Sequence, residues 1–323
     1  MYFRRTCLLR IFVILFLILN IFLLYLSRKI YIYNQYYCYS LNELDEVLDI
    51  QDTDVKNDSV IFFLDTTCDL FINETIMIRS RQACAIESAA LMNPQKTIYL
   101  LHSSPGWLIE NETISSQLLN FLTLYSNINI RHINLDRFAK DSPVEKLWKS
   151  NEVYKSNYPR KHISDIFGVL LLWRYGGIYM DLDVIVTKNL ELLPDNFVGA
   201  EPNSDVNNDI IGFDSQTIGH EYAQAVLNEL AENFDSQSWT GNGACIFNRL
   251  LKQRCDQKIE PAAVGKNRKC LNVLPQNTFY RFKYSEETDY IKKEIENSYV
   301  VHFCVWPCRS QRGVIYEQLV AIG

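Results

Sequence analysis

The sequence predicts an α/β domain with a largely parallel sheet behind a single N-terminal membrane-spanning helix. Three observations support this fold class. Strand-like apolar runs alternate with helix-like segments beyond residue 59, which is typical of a parallel sheet covered on both faces. A separate apolar run lies within the first thirty residues, and 48% of the 323 residues are hydrophobic, enough for a sizeable core.

The N-terminal apolar run predicts a membrane anchor. Only Asn20 interrupts it, and we expect a signal-anchor at residues 11–27. Three arginines precede the run and two basic residues follow it, which favours a cytosolic tail at 1–10 and a luminal remainder. A cleaved signal peptide is the alternative, although no small-residue cleavage site follows. The polar, patternless residues 28–58 predict a stem, so the folded domain is expected at 59–323.

Two further features are consistent with a luminal domain. Asn57, Asn73 and Asn111 each begin an Asn-x-Ser/Thr acceptor triplet for glycosylation. Of nine cysteines only Cys7 lies on the cytosolic edge, which leaves an even number suited to disulfides in an oxidising compartment. Free buried thiols are the alternative explanation. The formal charge of -6 gives no basic field for phosphate backbones, so nucleic acid is not an expected partner.

The strands and helices of the domain follow in order along the chain. Each strand is a short run rich in apolar residues, and each helix is a longer segment that ends at a Pro or Gly signal. Pro94 stops the first helix, and Gly176 with Gly177 ends the third. The predicted strands are 60–64, 97–101, 128–133 and 178–180, and the predicted helices are 79–93, 113–125 and 162–175.

Asp181 and Asp183 follow the last of these strands, where ligands bind in such sheets. Alternate residues of an extended segment share a face, so both carboxylates can point into one space. Two anions that close repel unless a cation joins them, and carboxylate oxygens suit Mg²⁺ or Mn²⁺, which complete their shells with substrate phosphates. The pair therefore predicts a metal-bound diphosphate. A solvated turn is the alternative for an isolated Asp-x-Asp, but the preceding helix, Gly-Gly and strand favour the metal site.

The segment "HISDIFGVLLLWRYGGIYMDLDVIV" resembles the Ser-Asp helix, Gly-Gly-Ile-Tyr and Asp-x-Asp of the alpha-1,4-galactosyltransferase (globotriaosylceramide synthase) group of glycosyltransferases. "FFLDTTC", "WTGNGA" and "VLPQNTFY" extend the resemblance over about four-fifths of the chain. The resemblance implies a GT-A type, Rossmann-like nucleotide-sugar-binding fold, a Golgi location, and Mn²⁺ or Mg²⁺. It also implies retaining transfer from UDP-galactose or UDP-N-acetylgalactosamine, in alpha-1,4 linkage, to a glycolipid such as a glycosphingolipid or to a related glycan.

The resemblance also assigns roles to residues. It implies that Asp183 ligates the metal, that Asp181 binds the metal or the ribose of the donor, and that His302 completes the metal shell, although a core histidine is the alternative. Asp165 is expected to bind hydroxyls of the donor sugar, with helix capping by Ser164 and Asp165 as the alternative. The resemblance places Gly176, Gly177 and Tyr179 at the donor. It places Trp239, Asn242 and Gly243 in an acceptor-side or reaction-centre segment, where the Asn242 amide would stabilise a developing sugar cation. The alternative for this segment is a set of turn residues at the start of a helix.

The cysteines have expected partners in two cases. The resemblance implies that Cys68 is bridged to Cys84 and that Cys255 is bridged to Cys270. Cys38 has no assigned partner within the chain, and it can join two stems in a homodimer or a complex with a partner transferase. The other unassigned cysteines are Cys245, Cys304 and Cys308.

The chain departs from the family at the Ser-Asp helix. An arginine normally follows the Asp by three residues, whereas this chain has Gly168. Arg160, Lys161 or Arg174 can replace that charge, but we expect Arg160 and Lys161 to be solvated. Cys304 also stands where the family pattern has Trp. These departures raise a second hypothesis, a luminal protein that binds nucleotide or glycan with little turnover; a mannosyltransferase of the wider Asp-x-Asp group is a third.

Overall fold

The computed structural model describes residues 13–27, 47–67, 76–104, 113–201, 205–255, 270–280 and 298–302. Residues 13–27 form a helix whose apolar side chains are almost all exposed. In these described ranges, no helix has both the length and the apolar character needed to cross a membrane. The predicted tail, most of the stem and the sequence after residue 302 lie outside the described residues.

The described part of the chain forms a mixed α/β fold around a parallel-rich sheet. Seven described strands make this central sheet and two make a small second sheet. The strands are β1 (Val60–Asp65), β2 (Thr97–His102), β3 (Ile128–His132), β4 (Gly177–Met180), β5 (Val184–Val186), β6 (Phe197–Ala200), β7 (Val206–Phe213), β8 (Asn272–Leu274) and β9 (Val300–His302).

The helices connect these strands and cover the sheet. Short 3-10 helices occur at Ile50–Asp52 and Leu190–Leu192. The α-helices of the domain are α1 (Ser80–Met92), α2 (Ile114–Leu122), α3 (Leu135–Ala139), α4 (Glu145–Lys149), α5 (Glu152–Lys155), α6 (Pro159–Tyr175), α7 (Ile218–Asn233), α8 (Ala244–Arg254) and α9 (Gln276–Phe279).

The strand order of the main sheet is β3-β2-β1-β4-β7-β6-β8. Strands β1 to β4 pair in parallel, whereas β7 pairs antiparallel with both β4 and β6. The order runs outward from β1 to β3 on one side and continues through β4 on the other, so the carboxyl ends of β1 and β4 flank a topological switch point, where open α/β sheets bind ligands. Beyond β4 the sheet is mixed, because β7 runs antiparallel to β4.

Two apolar cores lie against the sheet. Helix α6 supplies one of them with a run of buried residues, including Phe167 and Leu170 to Leu172, which pack with α7 and with strand residues such as Phe62. The other core contains α1, α2 and the alternate residues of the strands, such as Phe63 and Ile98. Burial on both faces is the reason that the strands are almost wholly apolar.

The predicted helices and strands are confirmed, with boundaries that differ by up to three residues. Helix α6 begins at Pro159 and not at residue 162, since Pro fits the first helical turn. The folded domain begins before residue 59, because Ile50 is fully buried and the Asp49 carboxylate accepts a 2.8 Å hydrogen bond from Asn134 N. The predicted stem therefore extends too far along the chain at its C-terminal end.

Covalent features of the domain are partly described. The Cys255–Cys270 disulfide is present, as expected. Asn57 lies exposed in a turn, whereas Asn73 and Asn111 lie outside the described residues. Cys68, Cys38, Cys304 and Cys308 lie outside them as well, so the Cys68–Cys84 bridge stays a prediction, and Cys245 is an exposed free thiol.

Candidate active site

Three aspartates and a histidine meet where β4 ends. Asp181 and Asp183 lie in the turn that follows β4, and Asp209 is carried by the adjoining antiparallel strand β7. The two strands are in register at Met180 and Ile210, so Asp181 N donates a 2.9 Å hydrogen bond to Asp209 O. Asp209 therefore lies in a strand beside β4, although two asparagines precede it in the sequence.

His302 closes this carboxylate cluster, which we define as Asp181, Asp183, Asp209 and His302. Strand β9 pairs with β5 so that His302 stands opposite Val184. Its Nε2 atom lies 3.4 Å from Asp183 Oδ1 and 3.4 Å from Asp209 Oδ2. Burial by itself lowers the pKa of His302, but the two carboxylates outweigh burial and raise the pKa to about 9. Without a bound metal ion the two carboxylates therefore favour the protonated imidazole, and His302 must lose that proton before Nε2 can ligate a metal.

The carboxylates of the cluster are crowded. Burial raises the pKa of Asp181 well above its ordinary value, and the charges of Asp209 and Asp183 raise it further. Burial also raises the pKa of Asp209, against the opposing effects of His302 and Lys161. Each shift of pKa means that the ionised form of these aspartates is unfavourable without a bound cation, and that a bound cation would stabilise it.

A hydrogen-bonded chain orients Asp181. Tyr179 precedes it by two residues and donates a 2.9 Å hydrogen bond from its hydroxyl to Asp181 Oδ1. Ser164 Oγ on helix α6 lies 2.7 Å from the same hydroxyl. Tyr179 is 2% exposed, so it supports the carboxylate from inside the core and has no surface for a donor molecule. Ser164 does not cap a helix, because α6 has already begun at Pro159.

Asp165 is held by a lysine and an amide. Lys161 Nζ lies 2.7 Å from Asp165 Oδ1, and Asn208 Nδ2 donates a 2.8 Å hydrogen bond to the same oxygen. Burial alone lowers the pKa of Lys161, but Asp165, Asp209 and Asp181 outweigh it and raise the pKa. The expectation that Lys161 is solvated is wrong, because the earlier start of α6 places it one turn before Asp165 on an inward face.

The donor set suits a hard divalent cation. Asp183 Oδ1 is buried and makes no hydrogen bond, and its 3.4 Å contact with His302 Nε2 is an ion pair. An unsatisfied buried carboxylate oxygen is costly unless a ligand uses it. Within the described ranges, however, no group of three or more acidic, His or Cys side chains is arranged to hold a metal. Asp181, Asp183 and His302 are thus neighbours that do not form a closed ligand cage.

Other predicted site residues have structural roles. Gly176 and Gly177 have positive φ angles and lie at the amino end of β4, so the strand separates them from the carboxylate cluster. Asn242 is 1% exposed and locks a loop: its amide accepts from Asp235 N and donates to Asp235 O. Both the oxygen and the nitrogen of the Asn242 amide are therefore bonded to the loop, and the side chain is buried.

Gly168 stands at the position where an arginine is expected, and the ring of Tyr179 occupies the space that its side chain would need. A Cβ atom added there would lie 2.9 Å from two ring carbons of Tyr179. Arg174 does not replace the arginine either, because its guanidinium donates to Phe138 O and Lys140 O. Lys161, in contrast to Arg174, reaches Asp165.

The structure adds a polar pair that the sequence analysis missed. Asp65 and His102 end the paired strands β1 and β2 at the same edge of the sheet as Asp181. His102 Nδ1 lies 3.6 Å from Asp65 Oδ2, and the Nε2 atom of this buried histidine has no hydrogen-bond partner. The available signal was a polar residue directly after each predicted apolar strand.

The chain matches two families of glycosyltransferase. Residues 79–204 match the family described as "Glycosyltransferase sugar-binding region containing DXD motif". Residues 215–321 match the family described as "Alpha 1,4-glycosyltransferase conserved region". The first match includes Asp165, Asp181 and Asp183, and the second includes His302.

Individual relatives are similar over most of the chain. The lactosylceramide 4-alpha-galactosyltransferase of Mus musculus is 28% identical over 264 residues, covering 78% of this chain and 68% of the mouse protein. The alpha-1,4-N-acetylglucosaminyltransferase of Homo sapiens is 27% identical over 243 residues, with coverage of 72% and 68%. Among solved structures, the PaToxG glycosyltransferase is 16% identical with a TM-score of 0.43, covering 71% of this chain and 75% of that chain. The two sequence relatives are named for different transferred sugars.

Proposed function

We propose that this chain, a glycosyltransferase similar to the alpha-1,4-glycosyltransferases, moves galactose or N-acetylgalactosamine from a UDP-sugar to a glycolipid or related glycan. We propose retention of the anomeric configuration, an alpha-1,4 linkage and dependence on Mn²⁺ or Mg²⁺. The observation that supports the proposal most is the carboxylate cluster at the switch point of the sheet, where the buried Asp183 Oδ1 makes no hydrogen bond.

The carboxylate cluster would hold the divalent ion of the donor complex. Asp183 and Asp181 would supply carboxylate oxygens and His302 would approach as a third ligand, with the diphosphate of the donor filling the remaining positions. When bound, the ion supplies positive charge that stabilises the departing diphosphate. Two or three protein ligands are enough for such an ion, which agrees with the open arrangement of the side chains.

The chain's own residues would orient the donor. Tyr179 fixes one oxygen of Asp181, which would leave the other for the ligand. Lys161 carries a fixed positive charge beside Asp165, and it would take the place of the missing arginine by stabilising negative charge on the donor. Asp165 would accept hydrogen bonds from hydroxyls of the donor sugar. The pair Asp65 and His102 would contact the nucleoside at the end of β1 and β2.

The proposal includes a GT-A type fold and a type II protein of the Golgi membrane. The strand order around β1 and β4 supports the fold, and the apolar N-terminal run with its acceptor triplets supports the location. A protein with this fold but little turnover is a second candidate. Gly168 stands in place of an arginine whose contact with the donor would strengthen as the sugar-phosphate bond breaks.

The direct experiment is UDP release by the full-length protein in detergent. The donors are UDP-galactose, UDP-N-acetylgalactosamine, UDP-N-acetylglucosamine and UDP-glucose, each with Mn²⁺ and with a chelator. We expect Mn²⁺-dependent release that falls at least about 100-fold in Asp183→Asn and is unchanged in Asp54→Asn, an exposed isosteric control. Release without metal at the same rate would refute the metal-dependent reaction. Donor binding without release would establish the second candidate.

Introducing the missing arginine is a poor test of whether the chain is an active transferase or a protein with little turnover. Gly168→Arg would place its Cβ atom against the buried ring of Tyr179, which also orients Asp181. Loss of activity in that variant would report displacement of Tyr179 and not the effect of the added charge.

A further inference from the structure

A buried tyrosine hydroxyl lies unused beside the carboxylate cluster. Tyr280 follows helix α9 and is 5% exposed, and its hydroxyl oxygen makes no hydrogen bond to any of the described residues. A buried tyrosine usually finds a partner for its O–H group, because water can no longer satisfy it. An unpaired donor at this position therefore points to a ligand that brings an acceptor atom.

The ring of Tyr280 is held in place from several sides. A Cβ atom added at Gly199 of β6 would lie 2.7 Å from a ring carbon of Tyr280, so the ring packs directly on that strand. The ring also meets His302 edge-to-face with 5.5 Å between ring centroids, and Phe279 with 6.2 Å. The backbone is fixed as well, since Tyr280 N donates a 2.8 Å hydrogen bond to Gln276 O. The hydroxyl therefore has little freedom to turn toward a partner elsewhere.

The surroundings of the hydroxyl are acidic. Burial raises the pKa of Tyr280, and the charges of four carboxylates raise it further, in the order Asp209, Glu201, Asp181 and Asp183. A phenol keeps its proton at neutral pH even when its pKa is near 10, its ordinary value, so this group is a hydrogen-bond donor. The hydroxyl is thus a neutral donor that borders the carboxylate cluster.

The two carboxylates with the largest effect on Tyr280 already have another donor. Asn207 Nδ2 donates a 2.6 Å hydrogen bond to Glu201 Oε1 and a 2.8 Å hydrogen bond to Asp209 Oδ2. The amide therefore holds these two side chains together across the end of β6 and the start of β7. Orienting them does not require Tyr280, which leaves its hydroxyl for a ligand.

The order of the strands indicates which part of the donor Tyr280 can reach. Strands β2 and β1 end at the pair assigned to the nucleoside, β4 and β7 carry the aspartates of the carboxylate cluster, and Tyr280 packs on the next strand, β6. Tyr280 also belongs to the core of α1 and α2, whereas Lys161 and Asp165 lie on α6 against the other core. A donor that extends from β1 to the cluster would therefore meet Tyr280 at its β-phosphate, beyond the nucleoside and apart from the Lys161–Asp165 pair.

We infer that the Tyr280 hydroxyl donates a hydrogen bond to an oxygen of the β-phosphate of the metal-bound UDP-sugar. This inference rests on the proposed function and adds a catalytic residue to it. When the sugar-phosphate bond breaks, its electron pair goes to the β-phosphate oxygen, so a hydrogen bond to this phosphate strengthens in the transition state. A donor that is already fixed needs no reorganisation at that moment. The unpaired hydroxyl of the free protein is then stability given up for activity.

Three measurements on the full-length protein test the inference. They are urea denaturation without ligand, isothermal titration calorimetry with Mn²⁺ alone and with UDP or UMP in the presence of Mn²⁺, and the kinetics of UDP release from the UDP-sugar that turns over. The test variant is Tyr280→Phe. The matched control is Tyr222→Phe, because Tyr222 is 1% exposed on α7 and its hydroxyl has a partner, Cys255 Sγ at 3.2 Å.

The expected pattern separates a ligand contact from a structural one. Tyr280→Phe keeps the free energy of unfolding of the wild-type protein or raises it, because the variant loses an unpaired donor. The same variant binds UDP about tenfold more weakly and releases UDP with a kcat at least about tenfold lower, while it binds UMP and Mn²⁺ alone with wild-type affinity. Tyr222→Phe keeps the wild-type values for UDP, UMP and kcat.

Several results would overturn the inference. A lower free energy of unfolding in Tyr280→Phe would show that the hydroxyl has a structural partner, and unchanged UDP affinity and kcat would show that it contacts no phosphate. Weaker binding of Mn²⁺ alone would make Tyr280 a metal ligand, and an equal loss for UMP and UDP would exclude the β-phosphate.

Asp183→Asn, measured in the same series, separates this inference from the proposed function. Mn²⁺-dependent UDP binding that is lost in Asp183→Asn but kept in Tyr280→Phe refutes the Tyr280 contact alone. UDP binding that needs no Mn²⁺ but falls in Tyr280→Phe sustains the contact with the phosphate and refutes the metal-dependent reaction instead.

Discussion

Asp165 shows how one buried charge depends on another. Its side chain is 1% exposed, and Lys161 and Asn208 both bind its Oδ1 atom while Oδ2 has no hydrogen-bond partner. A buried ion pair repays its desolvation only if both partners are present. Lys161 is therefore needed for stability as well as for the charge balance of the site, and the two effects can be separated by changing each residue.

Removing Lys161 is expected to destabilise the protein. Lys161→Met leaves Asp165 charged and buried, and we expect the free energy of unfolding to fall by about 3 kcal/mol, measured by urea denaturation. The double variant Lys161→Met/Asp165→Asn removes both charges and should recover most of that loss, while UDP affinity in the presence of Mn²⁺ stays reduced. Equal destabilisation in the single and double variants would show that the ion pair is not the cause.

The sequence could suggest these charged residues but not their pairing. Lys161 was expected to be solvated because the helix was predicted from residue 162, and the true start at Pro159 turns it toward Asp165. Asn242 received its role from the family resemblance, and that resemblance gave no indication that its amide closes a loop with Asp235. Both outcomes depend on contacts between distant segments, which a local pattern does not contain.

Helix α6 and strand β4 act as a unit at the scale of the elements. Gly168 lies in the buried face of the helix, and the ring of Tyr179 from the strand occupies the space that a side chain would need. The Tyr179 hydroxyl then reaches both Ser164 and Asp181. Helix and strand were both predictable from periodicity and from the Gly176-Gly177 signal, but this contact between them was not.

Filling the glycine position should disturb this contact. Gly168→Ala gains about 1 kcal/mol in helix propensity, but the overlap with the Tyr179 ring costs about 1–3 kcal/mol, so we expect net destabilisation of about 1 kcal/mol in urea denaturation. In a Tyr179→Leu background the overlap is gone, and the added methyl group should be neutral or stabilising. A stabilised Gly168→Ala protein would mean that Tyr179 moves away without cost.

The disulfide after α8 is the second prediction at the scale of the elements. Cys255 and Cys270 are 15 residues apart, and a bridge over that separation contributes about 3 kcal/mol by restricting the unfolded chain. We expect the variant with Cys255→Ser and Cys270→Ser to have a clearly lower Tm in calorimetry under oxidising conditions. Cys245→Ser, which changes an exposed free thiol, should have the wild-type Tm. An unchanged Tm in the double variant would show that the bridge adds no stability.

The whole molecule brings residues far apart in sequence to one edge of the sheet. Asp181 follows β4, Asp209 comes from antiparallel β7, and His302 arrives on β9 near the end of the described chain. The α/β class and Asp181 with Asp183 were predictable, because each depends on a local pattern of apolar runs and one motif. The place of Asp209 depends on the direction in which β7 returns beside β4, and no local pattern of the sequence indicates that direction.

Binding of UDP to the full-length protein with and without Mn²⁺, followed by isothermal titration calorimetry, tests the central claim most directly. That claim is that the carboxylate cluster holds a divalent ion together with the diphosphate. We expect wild-type protein and Asp54→Asn to bind UDP tightly only with Mn²⁺, and Asp183→Asn to bind it at least about 100-fold more weakly at the same Mn²⁺ concentration. UDP affinity that is the same in all three proteins, or the same after chelation of Mn²⁺, would contradict the account.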